Sequence, residues 1–212
     1  MGKSKKLIVF DLDGTLNRTE LYAVEIHRMV QTEFGWHAQT PELIQSVFGA
    51  PTSEYMPLLL PGADEETQRR YLKRVAEVEK DYLHLAAAYD GSAQMLDELH
   101  GKGWETAVCS NSSSRYISTI LNAIRLTDKI DHIEPLDKAF NSKKASLKNL
   151  LERLKPEKAV MVGDTSFDEE AAEENGIPFI GCLYGFRPHE MENAPIAVER
   201  PAQIPEAAEL LL

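Results

Sequence analysis

Runs of consecutive apolar residues break off abruptly into polar ones at several points along the chain. "LIVF" (7–10) stops at Asp11, "TAVC" (106–109) at Ser110, and "AVMV" (159–162) at Gly163 and Asp164. A fourth run, "FIGCLY", starts at Phe179, and a weaker one, "IAV", at Ile196. Continuous rather than alternating apolar character suits strands covered on both faces, as in a parallel sheet. Helix-like stretches lie between them: "SAQMLDELHGKG" (92–103), "SRYISTILNAI" (114–124), "KASLKNLLERL" (144–154) and "DEEAAEENG" (168–176). The first and last finish on glycine, as helix C-termini often do. Strand and helix in alternation predict an α/β fold with a doubly wound parallel sheet.

The stretch 18–88 breaks this rhythm. "TELYAVEIHRMVQTEFGW" predicts one helix, "TPELIQSVFG" a second, and "DEETQRRYLKRVAEVEKDYLHLAAA" a third or a helical pair, with "GAPTSEYMPLLLPG" as punctuation between them. The expected organisation is an α/β domain from residues 1–17 and 89–212, interrupted by a small helical domain over 18–88.

The bulk numbers fit this picture. A length of 212 residues suits one large domain or a domain carrying an insert. With 43% hydrophobic and 27% charged residues, the chain can bury a real core. A net charge of −11 argues against nucleic acid as a partner, because phosphate backbones demand a dense basic surface. Cys109 and Cys182 each sit in an apolar run; a disulfide is the alternative, and two buried free thiols are the simpler reading. In "MGKSKKLIVF" the apolar run is too short for a signal-peptide core, and Lys6 stands where myristoylation needs Ser or Thr. The expectation is a cytoplasmic protein without membrane attachment, monomeric or homodimeric.

Chemistry gathers where the strands end. Ligands of open α/β sheets bind outside the carboxyl ends of the strands, and three predicted strands end there in reactive polar residues. Asp11 and Asp13, two apart in extended chain, point to the same side. Gly14 frees the backbone to turn, so Leu12 and Asp13 can present their amides. Alone, "DG" also reads as an ordinary turn. An EF-hand loop fails, since Leu16 stands where it needs Gly and Tyr22 where it needs Glu. In "VGDTSFDEEA", Asp164 ends a strand and Asp168 opens a helix, where acids also suit capping and the helix dipole. Carboxylates converging from both places would repel unless a hard cation sat among them, and an all-oxygen donor set favours Mg²⁺. Ser110 and Asn111 offer a hydroxyl and an amide at the strand end, groups that can hold a phosphoryl oxygen. Two lysines, Lys143 and Lys144, open a helix against its dipole, and an adjacent anionic cluster would supply the reason.

"DLDGTL", "SN" after a strand, a helix-opening lysine and "GDTSFD", in that order, resemble the haloacid dehalogenase superfamily, and the resemblance covers nearly the whole chain. The helical insert looks like the small cap of the phosphoglycolate phosphatase and β-phosphoglucomutase relatives. The resemblance implies Asp11 as a nucleophile forming an aspartyl-phosphate and Asp13 as the general acid and base. It implies Mg²⁺ held by the Asp11 carboxylate, the Asp13 carbonyl and Asp164, with Asp168 in support. Ser110, Asn111 and the Leu12 amide would hold the phosphoryl group. Lys144 is favoured as the catalytic lysine because "KASL" resembles the family's helix start, with Lys143 as the alternative. In the cap, "VFGAPTSEY" makes Gly49 a candidate substrate contact, and Arg18 a candidate for a substrate anion. "YGFR" (184–187) resembles a loop near the metal site of relatives, with no assigned role. An aspartate at position 13 is what phosphate-ester hydrolases and mutases of the superfamily carry. The implied function is a Mg²⁺-dependent phosphatase of a small phosphorylated metabolite. Phosphomutase, pyrophosphatase, nucleotidase and a non-catalytic phospho-ligand-binding protein are the alternatives.

Overall fold

The apolar runs become the strands of one parallel sheet. A computed structural model describes residues 5–136 and 142–211. At the centre lies β1 (Lys6–Phe10), flanked by β2 (Trp104–Ser110) and β4 (Lys158–Gly163). With β3 (His132–Pro135), β5 (Phe179–Cys182) and β6 (Ile196–Val198), the order is β3-β2-β1-β4-β5-β6. The chain winds one way from β1 to β3 and then returns beside β1 to wind the other way, so the order reverses between β1 and β4. A crevice opens at the carboxyl ends of two strands that part like this.

Register decides which residues meet there. Phe10 pairs with Val108 on one side and with Val162 on the other. Counting on, Asp11 stands level with Cys109 and Gly163, one residue below Ser110 and Asp164. The polar ends of three separate runs therefore share one edge.

Both faces are covered, as unbroken apolar runs require. Ile8, Phe10, Val108, Val160 and Val162 lie in one buried cluster, and Leu7, Val9, Ala107, Cys109 and Met161 in the other. Helix α5 (Ser92–Gly101), α6 (Ser114–Ala123) and α10 (Ile204–Leu210) give the first cluster Leu96, Ile117 and Ala208. Helix α7 (Lys143–Leu154) and α8 (Ser166–Glu174) give the second Leu147, Leu150, Ala171 and Ala172. A short α9 spans Pro188–Met191. Cys109 and Cys182 belong to opposite clusters, and both are free thiols. No helix among the described residues is long and apolar enough to cross a membrane.

Between β1 and α5 the chain forms α1 (Ala23–Glu33), α2 (Pro41–Ser46), α3 (Thr52–Leu59) and α4 (Glu65–Tyr82). It leaves and returns side by side: the Arg18 amide donates to the Ala87 carbonyl at 2.9 Å, and Asn17 bridges to Ala88. Ile26, Val30, Ile44, Met56, Leu59 and Tyr71 form the interior of this helical segment, each nearly or fully buried.

Two elements depart from the sequence expectation. The stretch containing α3 reads as punctuation because of its prolines and glycines, yet Met56 and Leu59 bury on one face and draw Thr52–Leu59 into a helix despite Pro57. Strand β3 went unpredicted because, at the sheet edge, it holds His132, Glu134 and Pro135 with a single apolar Ile133. Its partner β2 supplies the register that its own sequence does not announce.

Ile8 is fully buried in the central strand. Ile8→Ala should lower the unfolding free energy by about 2–5 kcal/mol through lost burial and a residual cavity. Urea denaturation reads this, and a change within about 0.5 kcal/mol, the range of surface positions, would contradict the packing.

Candidate active site

Asp11 leaves β1 with its amide donating to the Val162 carbonyl at 2.9 Å, which fixes it against β4. One carboxylate oxygen, Oδ1, lies 2.7 Å from Lys143 Nζ, and the same ammonium lies 2.6 Å from Asp168 Oδ1. All three side chains are almost completely buried. Asp168 is held independently of the lysine. It stands in the first turn of α8, where its Oδ2 accepts from the Thr165 amide at 3.1 Å and the Thr165 hydroxyl at 2.8 Å, a capping box.

Asp164 is fixed from two directions. Its Oδ1 accepts the Thr15 hydroxyl at 3.2 Å and its Oδ2 the Phe186 amide at 2.8 Å. Gly14 makes this approach possible. With φ of +90° it occupies backbone space that side chains disfavour, and a Cβ there would stand 2.3 Å from Asp164 Oδ2.

Burial dominates the electrostatics. It pushes the Asp11 carboxyl up to about 7; Lys143 pulls downward, and the charges of Asp168 and Asp13 add to the rise. Asp164 is raised well above the ordinary carboxylate range by burial and then by Asp11 and Asp168. For Lys143 burial works against the charge, but the two carboxylates outweigh it and hold the ammonium above the usual lysine range. One buried cation thus faces three buried acids.

That shortfall fits a hard divalent cation. Oxygens of Asp11, Asp164 and Asp168 lie within 4.8 Å of one another, and Asp11 Oδ2 is buried with no hydrogen-bond partner. An all-carboxylate donor set suits Mg²⁺. The Asp13 side chain is not in this cluster. Its Oδ1 accepts from the Thr19 hydroxyl at 2.6 Å, the Tyr116 hydroxyl at 2.9 Å and the Asn17 side-chain Nδ2 at 3.0 Å. Burial raises the Asp13 carboxyl, and these three donors oppose the rise.

Asp11, Asp13 and Lys143 line the wall of a cavity of about 380 Å³ between the sheet edge and the helical segment. Ser110 and Asn111 line it too. The Ser110 hydroxyl accepts the Ser112 amide at 3.2 Å, and Asn111 Nδ2 donates to the Gly49 carbonyl at 2.9 Å, joining the sheet edge to the helical segment. Gly49 lies in the cavity wall with φ of +80°. Leu12 buries its side chain in the core and closes the turn by accepting the Leu16 and Asn17 amides, so only its backbone is available to a ligand.

Two of the expected site residues lie away from the cavity. Lys143 meets Asp11, whereas Lys144 points to the surface, 3.0 Å from Glu170 and 3.5 Å from Glu174. Successive helical residues differ by about 100° around the axis, so one of the pair faces the acids and the other faces away. Arg18 does not line the cavity: its guanidinium pairs with Glu20 at 3.0 Å and lies over the Tyr89 ring.

Several contributors escaped the sequence reading. Asn17 and Thr19 were legible as polar residues close behind "DLDGTL", but Tyr116, 103 residues from Asp13, carried no signal. Phe186, inside the unassigned "YGFR", serves through its amide on Asp164, while its ring packs on Phe48 at 5.2 Å between centroids. Glu79 of α4 also lines the cavity, its carboxyl pushed up to about 7 by burial and then by Asp13.

Residues 8–182 match the family model described as haloacid dehalogenase-like hydrolase. The tyrosine-protein kinase PtkA of Mycobacterium tuberculosis is 26% identical over 189 residues, covering 87% of this chain but 64% of PtkA, so the chain spans less than two thirds of that relative. The phosphoglycolate phosphatase of Aquifex aeolicus is 26% identical over 210 residues, covering 94% of each chain. In fold, the crystal structure of a predicted phosphatase from Clostridium acetobutylicum superposes with a TM-score of 0.86 at 22% identity, covering 99% of this chain and 100% of that one.

The two lysines should separate cleanly. In the presence of EDTA, Lys143→Met strips the buried acids of their cation and should cost on the order of 3–5 kcal/mol in urea denaturation. Lys144→Met, a surface change, should leave the urea midpoint at the wild-type value. Equal effects would contradict the assignment of Lys143.

Proposed function

The chain belongs to the haloacid dehalogenase-like hydrolase family, and from that membership we propose that it is a phosphatase of a small phosphorylated metabolite. The observation that carries this reading is the Asp11 carboxylate. One of its oxygens is paired with Lys143 and the other is buried without a partner, at the wall of a cavity that also holds Asp13. We read 18–88 as a cap over that cavity. Substrates named for the relatives belong to those proteins.

Asp11, Asp164 and Asp168 are the residues that would hold Mg²⁺, together with the Asp13 carbonyl. When bound, the ion supplies positive charge that keeps Asp11 ionised and offsets the phosphoryl oxygens. The chain's own groups do the rest. Lys143 offsets charge on Asp11 and on the incoming phosphoryl group, while the Ser110 hydroxyl and the amides of Leu12 and Asn111 hold its oxygens. A carboxylate oxygen of Asp11 attacks phosphorus, the ester P–O bond breaks, and the departing alcohol oxygen takes the proton of Asp13. Asp13, now a carboxylate, removes a proton from water. The water oxygen bonds to phosphorus, the Asp11–phosphorus link breaks, and phosphate leaves with Asp11 restored.

Asp13 suits a group that gives and then takes a proton. Burial favours its neutral form, and the donors from Thr19, Asn17 and Tyr116 favour its charged form. Those three contacts also aim it, so it need not be sought by the substrate. A phosphomutase would use the same groups but return the phosphoryl group to an organic acceptor, so release of inorganic phosphate in water separates the two readings.

The test is hydrolysis of p-nitrophenyl phosphate by the full chain. The wild type should turn over with Mg²⁺, lose activity in EDTA and regain it with excess Mg²⁺. Asp11→Asn should fall to the uncatalysed rate while keeping the wild-type circular dichroism. Activity retained in folded Asp11→Asn would overturn the nucleophile.

A further inference from the structure

We propose that Glu79 selects the leaving group, and that the preferred substrates are phosphate monoesters of short alcohols carrying a cationic nitrogen. The inference rests on the phosphatase reading and gives it a substrate class.

The argument begins with what the cavity lacks. Among its described lining residues Lys143 is the sole lysine, no arginine is present, and that lysine is already engaged by Asp11 and Asp168. His27 also lines the wall, but burial pushes its imidazole down to about 4, and its Nδ1 lies 2.7 Å from the Tyr71 hydroxyl. It is uncharged at neutral pH. Arg18, the remaining candidate for a substrate anion, is tied to Glu20 outside the cavity. Once the phosphoryl group has taken Lys143, no lysine or arginine among the described lining residues is left for a second negative charge on the substrate.

Next comes what the cavity holds. Ala23, Ile26, Val47, Phe48, Leu72 and Val75 make much of the wall beyond the sheet edge apolar. Into this wall α4 brings Glu79, half-buried, with no hydrogen bond or ion pair among the described residues. Asp13 stands close enough for its charge to oppose that of Glu79, as do the Tyr22 and Tyr116 hydroxyls for theirs to be affected by it. A half-buried carboxylate among apolar groups and a second acid is unfavourable unless something positive joins it. Elsewhere on α4, Glu66 pairs with Arg69 and Glu77 with Arg74. Glu79 is the acid of this helix that faces the ligand space.

A leaving group with an ammonium would pair Glu79 across the apolar wall while its phosphate occupies the sheet edge. A leaving group with a carboxylate, as in phosphoglycolate, would meet Glu79 with no lysine or arginine of the described lining left to offset it. Juxtaposed like charges in a confined site are a strong means of rejection.

The experiment compares kcat/KM by inorganic phosphate release for O-phosphoethanolamine, propyl phosphate and 2-phosphoglycolate, with p-nitrophenyl phosphate alongside, for the wild type and Glu79→Gln. The wild type should favour the cationic ester over the anionic one by about 100-fold, with the neutral ester between. In Glu79→Gln that ratio should shrink to about tenfold or less, chiefly through KM. Each ratio is taken within one protein sample, so a loss of folded material does not move it. A wild type that prefers phosphoglycolate, or a ratio unchanged in Glu79→Gln, overturns the role of Glu79 while p-nitrophenyl phosphate turnover leaves the phosphatase reading standing. No turnover of any of the four overturns both.

Discussion

Three buried acids and one buried lysine at the parting of β1 and β4 are the constraint around which the molecule is arranged. Asp11, Asp164 and Asp168 are each almost fully shielded from water, and Lys143 is the cation that touches two of them. Left alone, such a cluster would drive its own neutralisation, as the upward displacement of Asp11 and Asp164 records. The surrounding structure instead fixes every member. The capping box of α8 holds Asp168, Thr15 and the Phe186 amide hold Asp164, and the β1–β4 register holds Asp11. Three acids fixed around one ammonium leave a shortfall of positive charge that suits a hard divalent cation.

The helical segment completes the site. Asn111 reaches from the strand end to Gly49, and Phe48 packs on Phe186, whose amide already restrains Asp164. The cavity wall is therefore continuous with the scaffold of the charged cluster. The helical segment and the acid cluster are thus linked through a few direct contacts.

Much of the fold was legible because a parallel sheet demands unbroken apolar runs, and β1, β2, β4 and β5 provide them. Strand β3 was not, since its one buried position is Glu134, bonded to Asn149 and Arg153, while its single apolar residue, Ile133, is only partly covered. Helix α3 was hidden by prolines that local rules read as breaks. At the site, Asp11, Asp13, Ser110 and Asp164 could be read from strand ends. Choosing between Lys143 and Lys144 depends on the rotational phase of α7, set where the Ser142 hydroxyl accepts the Ala145 amide, which residue type alone does not disclose. Tyr116 and Phe186 reach the acids only through tertiary contact. Glu79 lies in a helix crowded with charge, and only the fold shows that it is the acid of that helix lining the cavity.

The central claim is that Asp11 itself carries the phosphoryl group between substrate and water. Acid quenching of the Mg²⁺-loaded protein within a single turnover of p-nitrophenyl phosphate, followed by peptide mass spectrometry, tests it most directly. The account predicts one added phosphoryl group, acid-stable and labile in mild base, on the peptide containing Asp11 and no other. Turnover at the same rate with that peptide unmodified at every quench time would contradict it.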